Sequence, residues 1–130
     1  MVSLLIVSHS AQLAAGVREF ANQVAGGKVQ IVDAGGTAEG TLGTSVERIQ
    51  AALQQVHSHD GTLVLVDLGS AVLSVEMAIE ALGATQVQIS DAPLVEGAYL
   101  AAIEASDESA TLAQVAEAAL QARELIKVHS

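Results

Sequence analysis

Two segments that each contain four consecutive apolar residues constrain the fold of this chain more than any other feature of its sequence. Residues 2–7 contain the run Leu-Leu-Ile-Val, and residues 62–67 contain the run Leu-Val-Leu-Val. Strands that are apolar on both faces are typical of parallel sheets, because helices cover both faces of such sheets. The two segments therefore predict an α/β fold in which they form the buried central strands.

Two weaker strand candidates and five helical segments accompany these strands. Residues 28–33 and 86–90 alternate apolar and polar side chains, which is typical of strands nearer the edge of a sheet. Apolar stripes at helical spacing lie at Leu13, Val17, Phe20 and Val24, at Val46, Ile49, Leu53 and Val56, at Ala71, Val75, Ala78, Ile79 and Leu82, and within residues 94–103 and 112–126. Met77 and Tyr99 lie in or beside these stripes and are predicted to have packing roles.

The order of the elements is β-α-β-α-β-α-β-α-α, which predicts an open, mainly parallel sheet with right-handed crossovers and helices on both faces. If the two most apolar strands are adjacent, the strand order is 2-1-3-4. With 130 residues and neither a repeat nor a linker, residues 1–130 are expected to form a single domain. The winding of such a sheet reverses between strands 1 and 3, and ligands bind there at the carboxyl ends of the strands.

The charge of the chain restricts its partners. Fifteen acidic residues are opposed by five basic ones, which gives a formal net charge of -10 at pH 7. This charge repels phosphate backbones and anionic lipid, so nucleic acid and membrane surfaces are not expected as partners. A partner protein with a basic docking face is expected instead.

Composition also excludes several kinds of site and location. The chain has no cysteine, which excludes disulfides, thiolate catalysis and zinc sites with Cys ligands. The N-terminus carries no basic region, and its apolar run ends at Ser8, whereas a membrane span needs about 20 apolar residues. The chain is therefore expected to be cytoplasmic.

The two central strands end in polar residues that can act together. Strand 1 leads into Ser8-His9-Ser10, and strand 3 ends in Asp67. If the strands are neighbours, His9 and Asp67 emerge side by side. A carboxylate that accepts the Nδ1 proton leaves Nε2 as a nucleophile and stabilises the charge that the ring gains when it attacks phosphorus. We therefore expect His9 to be the nucleophile and Asp67 to orient it, although either residue alone has a purely structural interpretation.

Three predicted helices begin at this edge of the sheet, and backbone N–H groups at helix starts bind phosphate. Glycine allows close approach of the backbone, and hydroxyl groups add donors. The candidate phosphate-binding residues are therefore Ser10, Gly43, Thr44, Ser45, Gly69 and Ser70.

No metal site is predicted from the sequence. His57 and His59 lack a nearby carboxylate pair and are expected to be solvated.

Four motifs in the chain resemble a single protein family. They are Val7-Ser8-His9-Ser10, Gly43-Thr44-Ser45, Asp67-Leu68-Gly69-Ser70-Ala71 and Ala92-Pro93-Leu94-Val95-Glu96-Gly97. The chain resembles the phosphotransferase subunit of bacterial dihydroxyacetone kinase, a relative of the mannose-class IIA domains of the sugar phosphotransferase system. Mannose-class relatives usually have glycine after the active histidine, so Ser10 favours the dihydroxyacetone kinase branch.

The resemblance implies a phosphohistidine carrier. His9 would receive a phosphoryl group from the phosphorylated carrier protein HPr and pass it to ADP bound in the nucleotide-binding subunit of dihydroxyacetone kinase. Asp67 corresponds to the family's carboxylate beside the active histidine, and the glycine motifs correspond to loops around it. The family also implies a homodimer. Because the chain ends at Ser130 without fused HPr-like domains, a separate donor is expected.

Other functions remain open at this point. A sugar-specific mannose-class IIA component would use His9 identically but donate to a IIB domain. A receiver-like module would be phosphorylated on Asp67, but it needs acids after strand 1 to hold Mg²⁺ and a lysine after a late strand. A hydrolase would pair a serine with His9 and Asp67, but the sequence has no Gly-x-Ser-x-Gly motif. Dinucleotide and Walker motifs are absent as well, so no nucleotide or metal cofactor is expected.

Overall fold

The computed structural model describes residues 1–56 and 58–129, so the expectation for His57 lies outside the described residues. The described part contains four strands, five α-helices and one 3₁₀ helix. In chain order they are β1 (Ser3–Ser8), α1 (Ala11–Val24), β2 (Ile31–Gly35), α2 (Val46–Gln55), β3 (Thr62–Val66), α3 (Ser70–Leu82), β4 (Val87–Ile89), α4 (Leu94–Ala105), α5 (Leu112–Leu120) and the 3₁₀ helix (Gln121–Glu124).

The four strands form one parallel sheet in the order β2-β1-β3-β4. Leu4 of β1 pairs with Ile31 on one side and with Leu63 on the other, which places β1 inside the sheet. The predicted α/β class and the strand order 2-1-3-4 are both confirmed. Because β1 and β3 are neighbours, the residues that follow them lie at one edge of the sheet.

Helices cover both faces of the sheet, and the central strands are apolar at every position for that reason. Successive residues of a strand point to opposite faces. Leu4 and Ile6 pack against α1, α4 and α5, whereas Leu5 and Val7 pack against α2 and α3. All four side chains are fully buried.

Polar residues set the helix starts. Ser10 and Ser45 precede α1 and α2, and their hydroxyl oxygens accept hydrogen bonds from the third N–H of each helix at 3.1 and 3.2 Å. A capping box between Thr111 and Gln114 begins α5. These bonds satisfy N–H groups of the first turn that have no partner within the helix. At the other end of α3, Gly83 adopts the left-handed conformation that closes the helix.

The second strand begins later than predicted. The alternating pattern predicted residues 28–33, whereas β2 covers Ile31–Gly35. The turn after α1 explains the difference, because Gly26 and Gly27 both have positive φ and redirect the chain. The chain joins the sheet only at Gln30, whose carbonyl accepts a hydrogen bond from β1 at 3.0 Å.

The buried face of α1 differs from the predicted stripe. Ala14, Val17 and Ala21 are buried, whereas Leu13 and Phe20 are each 43% exposed. The helix lies close to β2, since a Cβ atom on Gly35 would come within 2.9 Å of the Ala14 Cβ atom. Small side chains therefore take the inner positions, and the larger ones are displaced to the flanks.

Tyr99 makes a packing contact as predicted, whereas the prediction for Met77 is corrected by the structure. Tyr99 of α4 stacks on Phe20 with ring centroids 5.8 Å apart, but the pair lies at the surface rather than in the core. Met77 is half exposed, because α3 turns its alanine and valine face to the sheet.

The last helix is shorter than predicted. The helix predicted for residues 112–126 ends at Leu120 and continues only as one 3₁₀ turn. No helix within the described ranges has the length and apolarity required to cross a bilayer.

Candidate functional site

The carboxyl ends of β1 and β3 bring His9 and Asp67 into contact. His9 follows β1 and Asp67 follows β3, and the two strands are hydrogen-bonded neighbours. Nδ1 of His9 lies 3.0 Å from Oδ1 of Asp67. The carboxylate is largely buried, whereas 28% of the imidazole remains exposed. The ring is therefore anchored through Nδ1 while part of it remains exposed to solvent.

Asp67 accepts four hydrogen bonds, two at each carboxylate oxygen. Oδ1 faces the His9 ring and the Leu68 N–H at 2.8 Å, and Oδ2 faces the Ser8 hydroxyl at 2.8 Å and the His9 N–H at 2.9 Å. Burial raises the pKa of Asp67, but these hydrogen bonds outweigh it and hold the pKa below its ordinary value. An ionised carboxylate can only accept, so Nδ1 of His9 carries the proton and Nε2 has the lone pair.

Ser8 is a site residue that is not among the catalytic or phosphate-binding residues predicted from the sequence. Its hydroxyl is fully buried, donates to Asp67 and accepts a hydrogen bond from the Ser10 N–H at 3.0 Å. In the sequence Ser8 is the polar end of an apolar strand and part of the motif Val7-Ser8-His9-Ser10, but no contact with Asp67 is predicted for it. The signal that points to it is a hydroxyl directly before the histidine on the central strand.

Ser70, the first residue of α3, contacts the other nitrogen of the ring. Its Oγ lies 2.9 Å from Nε2 of His9. With the proton on Nδ1, the Ser70 hydroxyl donates to Nε2. The N–H groups of Gly69 and Ser70 make no hydrogen bond within the described part of the chain. They stand at the positive end of the α3 dipole, where an anion is stabilised.

The Gly43-Thr44 segment supports the site from the side of α2. The Gly43 N–H donates to the backbone carbonyl of His9 at 2.8 Å, so this donor already has a partner. The Thr44 hydroxyl is paired with that of Ser74 on α3 at 2.7 Å. These two bonds tie the loop before α2 to the histidine and to α3.

Ser10 and Ser45 cap their helices. Ser45 also donates from its hydroxyl to the Glu47 carboxylate at 3.3 Å. Neither hydroxyl is bonded to the His9 ring. Among the predicted phosphate-binding residues, all of which the structure describes, Ser70 contacts Nε2 of His9 directly. The hydroxyl groups of Ser10, Thr44 and Ser45 form hydrogen bonds with other partners.

A cleft of about 340 Å³ opens beside Asp67, between the ends of β3 and β4. Leu68 and Gly69 line one side of it, and Asp91 and Arg123, which form an ion pair, line the other. Among the described residues that line this cleft, the one basic side chain, Arg123, is thus already paired. In the described ranges no group of three or more histidine or acidic side chains is arranged to hold a metal ion.

Comparison with known proteins places these features in a family. The family described as the PTS system fructose IIA component matches residues 3–116. The phosphoryl donor subunit DhaM of PEP-dependent dihydroxyacetone kinase 2 from Listeria innocua is 37% identical over 107 residues, which are 80% of this chain and 86% of that protein. The DhaM phosphoryl donor subunit of Escherichia coli K12 is 38% identical over 112 residues, which are 82% of this chain but 24% of that protein. This chain therefore spans most of one relative and about a quarter of the other.

Solved structures agree with the fold. The crystal structure of EF1359, a protein of unknown function, superposes with a TM-score of 0.80 at 35% identity and covers 92% of both chains. The phosphotransferase system component EIIA from Streptococcus agalactiae superposes with a TM-score of 0.70 at 18% identity, covering 98% of this chain and 97% of that one, and shows the fold alone. Because the family match and several relatives above 30% identity each cover most of the chain, the protein belongs to the PTS fructose IIA family and, within it, to the DhaM subunits of PEP-dependent dihydroxyacetone kinases.

Proposed function

We propose that this chain carries a phosphoryl group on Nε2 of His9. The observation that supports this most is the 3.0 Å contact between Nδ1 and Asp67, which leaves the lone pair on Nε2 of a partly exposed ring. The lone pair of Nε2 attacks phosphorus while the bond between phosphorus and the donor's nitrogen breaks and leaves its electron pair on the donor. The Nδ1 proton stays in place, and Asp67 stabilises the positive charge that the ring acquires.

Ser70 and the start of α3 then hold the transferred group. When the Nε2 lone pair forms the bond to phosphorus, the Ser70 hydroxyl loses its acceptor and can donate to a phosphoryl oxygen. The N–H groups of Gly69 and Ser70 and the helix dipole favour the same negative charge. Ser10, Gly43, Thr44 and Ser45 contribute by fixing the helix starts and the backbone of His9.

The proposed donor is histidine-phosphorylated HPr, and the proposed acceptor is ADP bound in the nucleotide-binding subunit of dihydroxyacetone kinase. The ATP formed there would phosphorylate dihydroxyacetone. The relatives support this assignment, since they are named phosphoryl donor subunits of such kinases. The net charge of -10 favours partners with a basic face.

The chain is proposed to act in the cytoplasm as a single carrier domain with no nucleotide or metal of its own. We also propose that it forms a homodimer, as its family resemblance implies. Exposed apolar side chains such as Phe20 and Tyr99 give it surface that a second copy can cover. A sugar-specific IIA component that donates to a IIB domain stays the second candidate, because only the acceptor differs.

Labelling by phosphorylated HPr tests the proposal. The wild-type chain is expected to gain one phosphoryl group, which mass spectrometry maps to His9. His9→Ala is expected to gain none and to keep its circular dichroism spectrum, because the side chain is partly exposed and outside the core. His59→Ala is the matched control, since His59 is an exposed histidine in the loop before β3. This variant should be labelled like the wild type.

Two results contradict the proposal: label retained by His9→Ala, or a hydroxylamine-sensitive label that maps to Asp67. The acceptor is tested separately by mixing the phosphorylated chain with an ADP-loaded kinase subunit, which is expected to yield ATP. Transfer to a IIB domain without ATP formation would select the sugar-specific alternative.

A further inference from the structure

Apart from the His9 ring, the Ser8 hydroxyl is the one side chain in the described ranges that donates to Asp67. It is fully buried at the end of β1, and its oxygen lies 2.8 Å from Oδ2 of Asp67. The other two donors to the carboxylate are backbone N–H groups. Ser8 is therefore the only one of these donors, apart from the histidine, that a substitution can remove.

The direction of the Ser8 hydroxyl is determined by a second bond. Its oxygen accepts the Ser10 N–H at 3.0 Å, so its single hydrogen is free to point toward Asp67. The His9 N–H donates to the same carboxylate oxygen at 2.9 Å. Two donors from consecutive residues thus hold Oδ2, and a carboxylate held there has Oδ1 directed at Nδ1 of His9.

We propose that Ser8 is a positioning residue for phosphoryl transfer, because it holds the Asp67 carboxylate in the orientation that keeps the proton of His9 on Nδ1. The inference rests on the proposed function of His9. Without the hydroxyl, Oδ2 keeps the His9 N–H and Oδ1 keeps the Leu68 N–H, so the carboxylate is held by fewer donors and its direction toward Nδ1 is less tightly defined. His9 then populates the tautomer that carries the proton on Nε2, and this tautomer has no lone pair with which to attack phosphorus.

Burial of a serine in β1 does not by itself imply this role, and Ser3 at the other end of the strand makes the comparison possible. Ser3 is also buried, and its hydroxyl pairs with that of Thr62 at 2.9 Å and donates to the Gly61 carbonyl at 3.4 Å. Its hydrogen bonds involve no ionisable side chain. Removing either hydroxyl removes two hydrogen bonds from the interior of the chain, so the two alanine variants are expected to lose similar stability.

The test compares Ser8→Ala, Ser8→Thr and Ser3→Ala in the full chain. Nitrogen-15 chemical shifts of the His9 ring report the tautomer, and a single-turnover assay with phosphorylated HPr reports the rate. Ser8→Ala is expected to shift the ring toward the Nε2-protonated form and to slow transfer about tenfold, as expected when one hydrogen bond to a charged group is lost. Ser8→Thr, which keeps the hydroxyl, should restore both. Ser3→Ala should change neither, although its urea midpoint falls.

A Ser8→Ala chain with the wild-type tautomer and rate would overturn the inference. So would equal changes in Ser3→Ala, because they would show a loss of stability rather than of orientation. If Ser8→Ala does not fold, Ser8→Cys keeps the volume with a much weaker donor and gives the same comparison. The ring spectra need no phosphoryl transfer, so a wild-type chain that HPr fails to label would refute the proposed function and leave the tautomer comparison to decide the role of Ser8.

Discussion

Each oxygen of the Asp67 carboxylate faces a backbone N–H group, that of Leu68 on Oδ1 and that of His9 on Oδ2. An asparagine has one carbonyl oxygen, so its NH₂ group would oppose one of these N–H groups whichever way the amide is turned. In one of the two orientations the NH₂ group would also face Nδ1 of His9, and the ring would then have to place its proton on Nε2. At the scale of single residues, the geometry therefore requires an acceptor at both positions.

Asp67→Asn is accordingly expected to slow phosphoryl transfer to His9 by on the order of a hundredfold or more, as loss of the orienting carboxylate does in other histidine-dependent sites. A single-turnover assay with phosphorylated HPr measures the effect. Asp107→Asn is the control, because Asp107 also accepts two hydrogen bonds, from the backbone N–H and the hydroxyl of Ser109, which lower its pKa. It lies before α5, and its variant should transfer at the wild-type rate. An unchanged rate in Asp67→Asn would remove the orienting role.

The same variant is expected to change the response of stability to acid. The pKa of Asp67 is lowered in the folded chain and is about 3.9 in an unfolded one. Its contribution to the free energy of unfolding is thus fully present above about pH 4 and is lost as pH falls through the folded value. Urea unfolding below about pH 4 should show a steeper loss of stability with falling pH for the wild type than for Asp67→Asn. Parallel curves would show that the hydrogen bonds do not favour the charged form.

At the scale of elements, the contact between β2 and the start of α1 links the fold to the site. A Cβ atom on Gly35 would come within 2.6 Å of the Ser10 carbonyl oxygen, 2.8 Å of the Ala11 Cα atom and 2.9 Å of the Ala14 Cβ atom. The first two of these are backbone atoms and cannot move by changing a rotamer. Glycine at this position therefore allows α1 to begin directly beside the sheet, two residues after His9.

Gly35→Ala is expected to lower the free energy of unfolding by roughly 1–3 kcal/mol, because the helix start must shift to admit a methyl group. Chemical denaturation measures this loss. Gly16→Ala provides the control within α1, since an added Cβ atom there meets nothing within 4 Å. It should stabilise the chain by about 0.5–1 kcal/mol through helix propensity. Equal stability in the two variants would contradict the close-approach argument.

The elements themselves were predictable to different degrees. The patterns around β1 and β3 predicted those strands to within one residue at each end, because an uninterrupted apolar run has few alternatives in a protein with helices on both faces. The pattern around β2 was less informative, since Val29 is buried without belonging to the strand. Helical periodicity placed α1 correctly but misassigned Leu13 and Phe20 to the core. The separation between a helix and its sheet is set by contacts that periodicity does not contain.

At the scale of the whole molecule, the excess of acidic groups is not offset at the surface. Three of the basic side chains are engaged in ion pairs: Arg18 with Asp33, Arg123 with Asp91, and Lys127 with Glu96. Most of the 15 acidic residues have no such partner among the five basic ones. The field around the chain is therefore negative, and it attracts a partner with a basic docking face.

Phosphoryl transfer from HPr is accordingly expected to slow as salt is added. Raising the ionic strength from about 0.02 to about 0.5 M should lower the second-order rate constant roughly tenfold, because salt screens long-range attraction. Rapid mixing followed by a chemical quench and quantification of phosphohistidine measures this rate constant. Spontaneous hydrolysis of the phosphorylated chain without a partner is the control and should change little. A second-order rate constant independent of salt would show that charge does not steer the encounter.

The fold class, the strand order and the meeting of His9 with Asp67 could all be predicted from the amino-acid sequence. These follow from local apolar runs and from the rule that neighbouring parallel strands present their carboxyl ends at one edge. The pairing of donors with acceptors became visible only in the folded chain, as for Ser8 with Asp67 across 59 positions or Gly43 with the carbonyl of His9. Hydrogen bonds depend on distances of a few tenths of an ångström, and those distances are set by how closely the helices pack on the sheet.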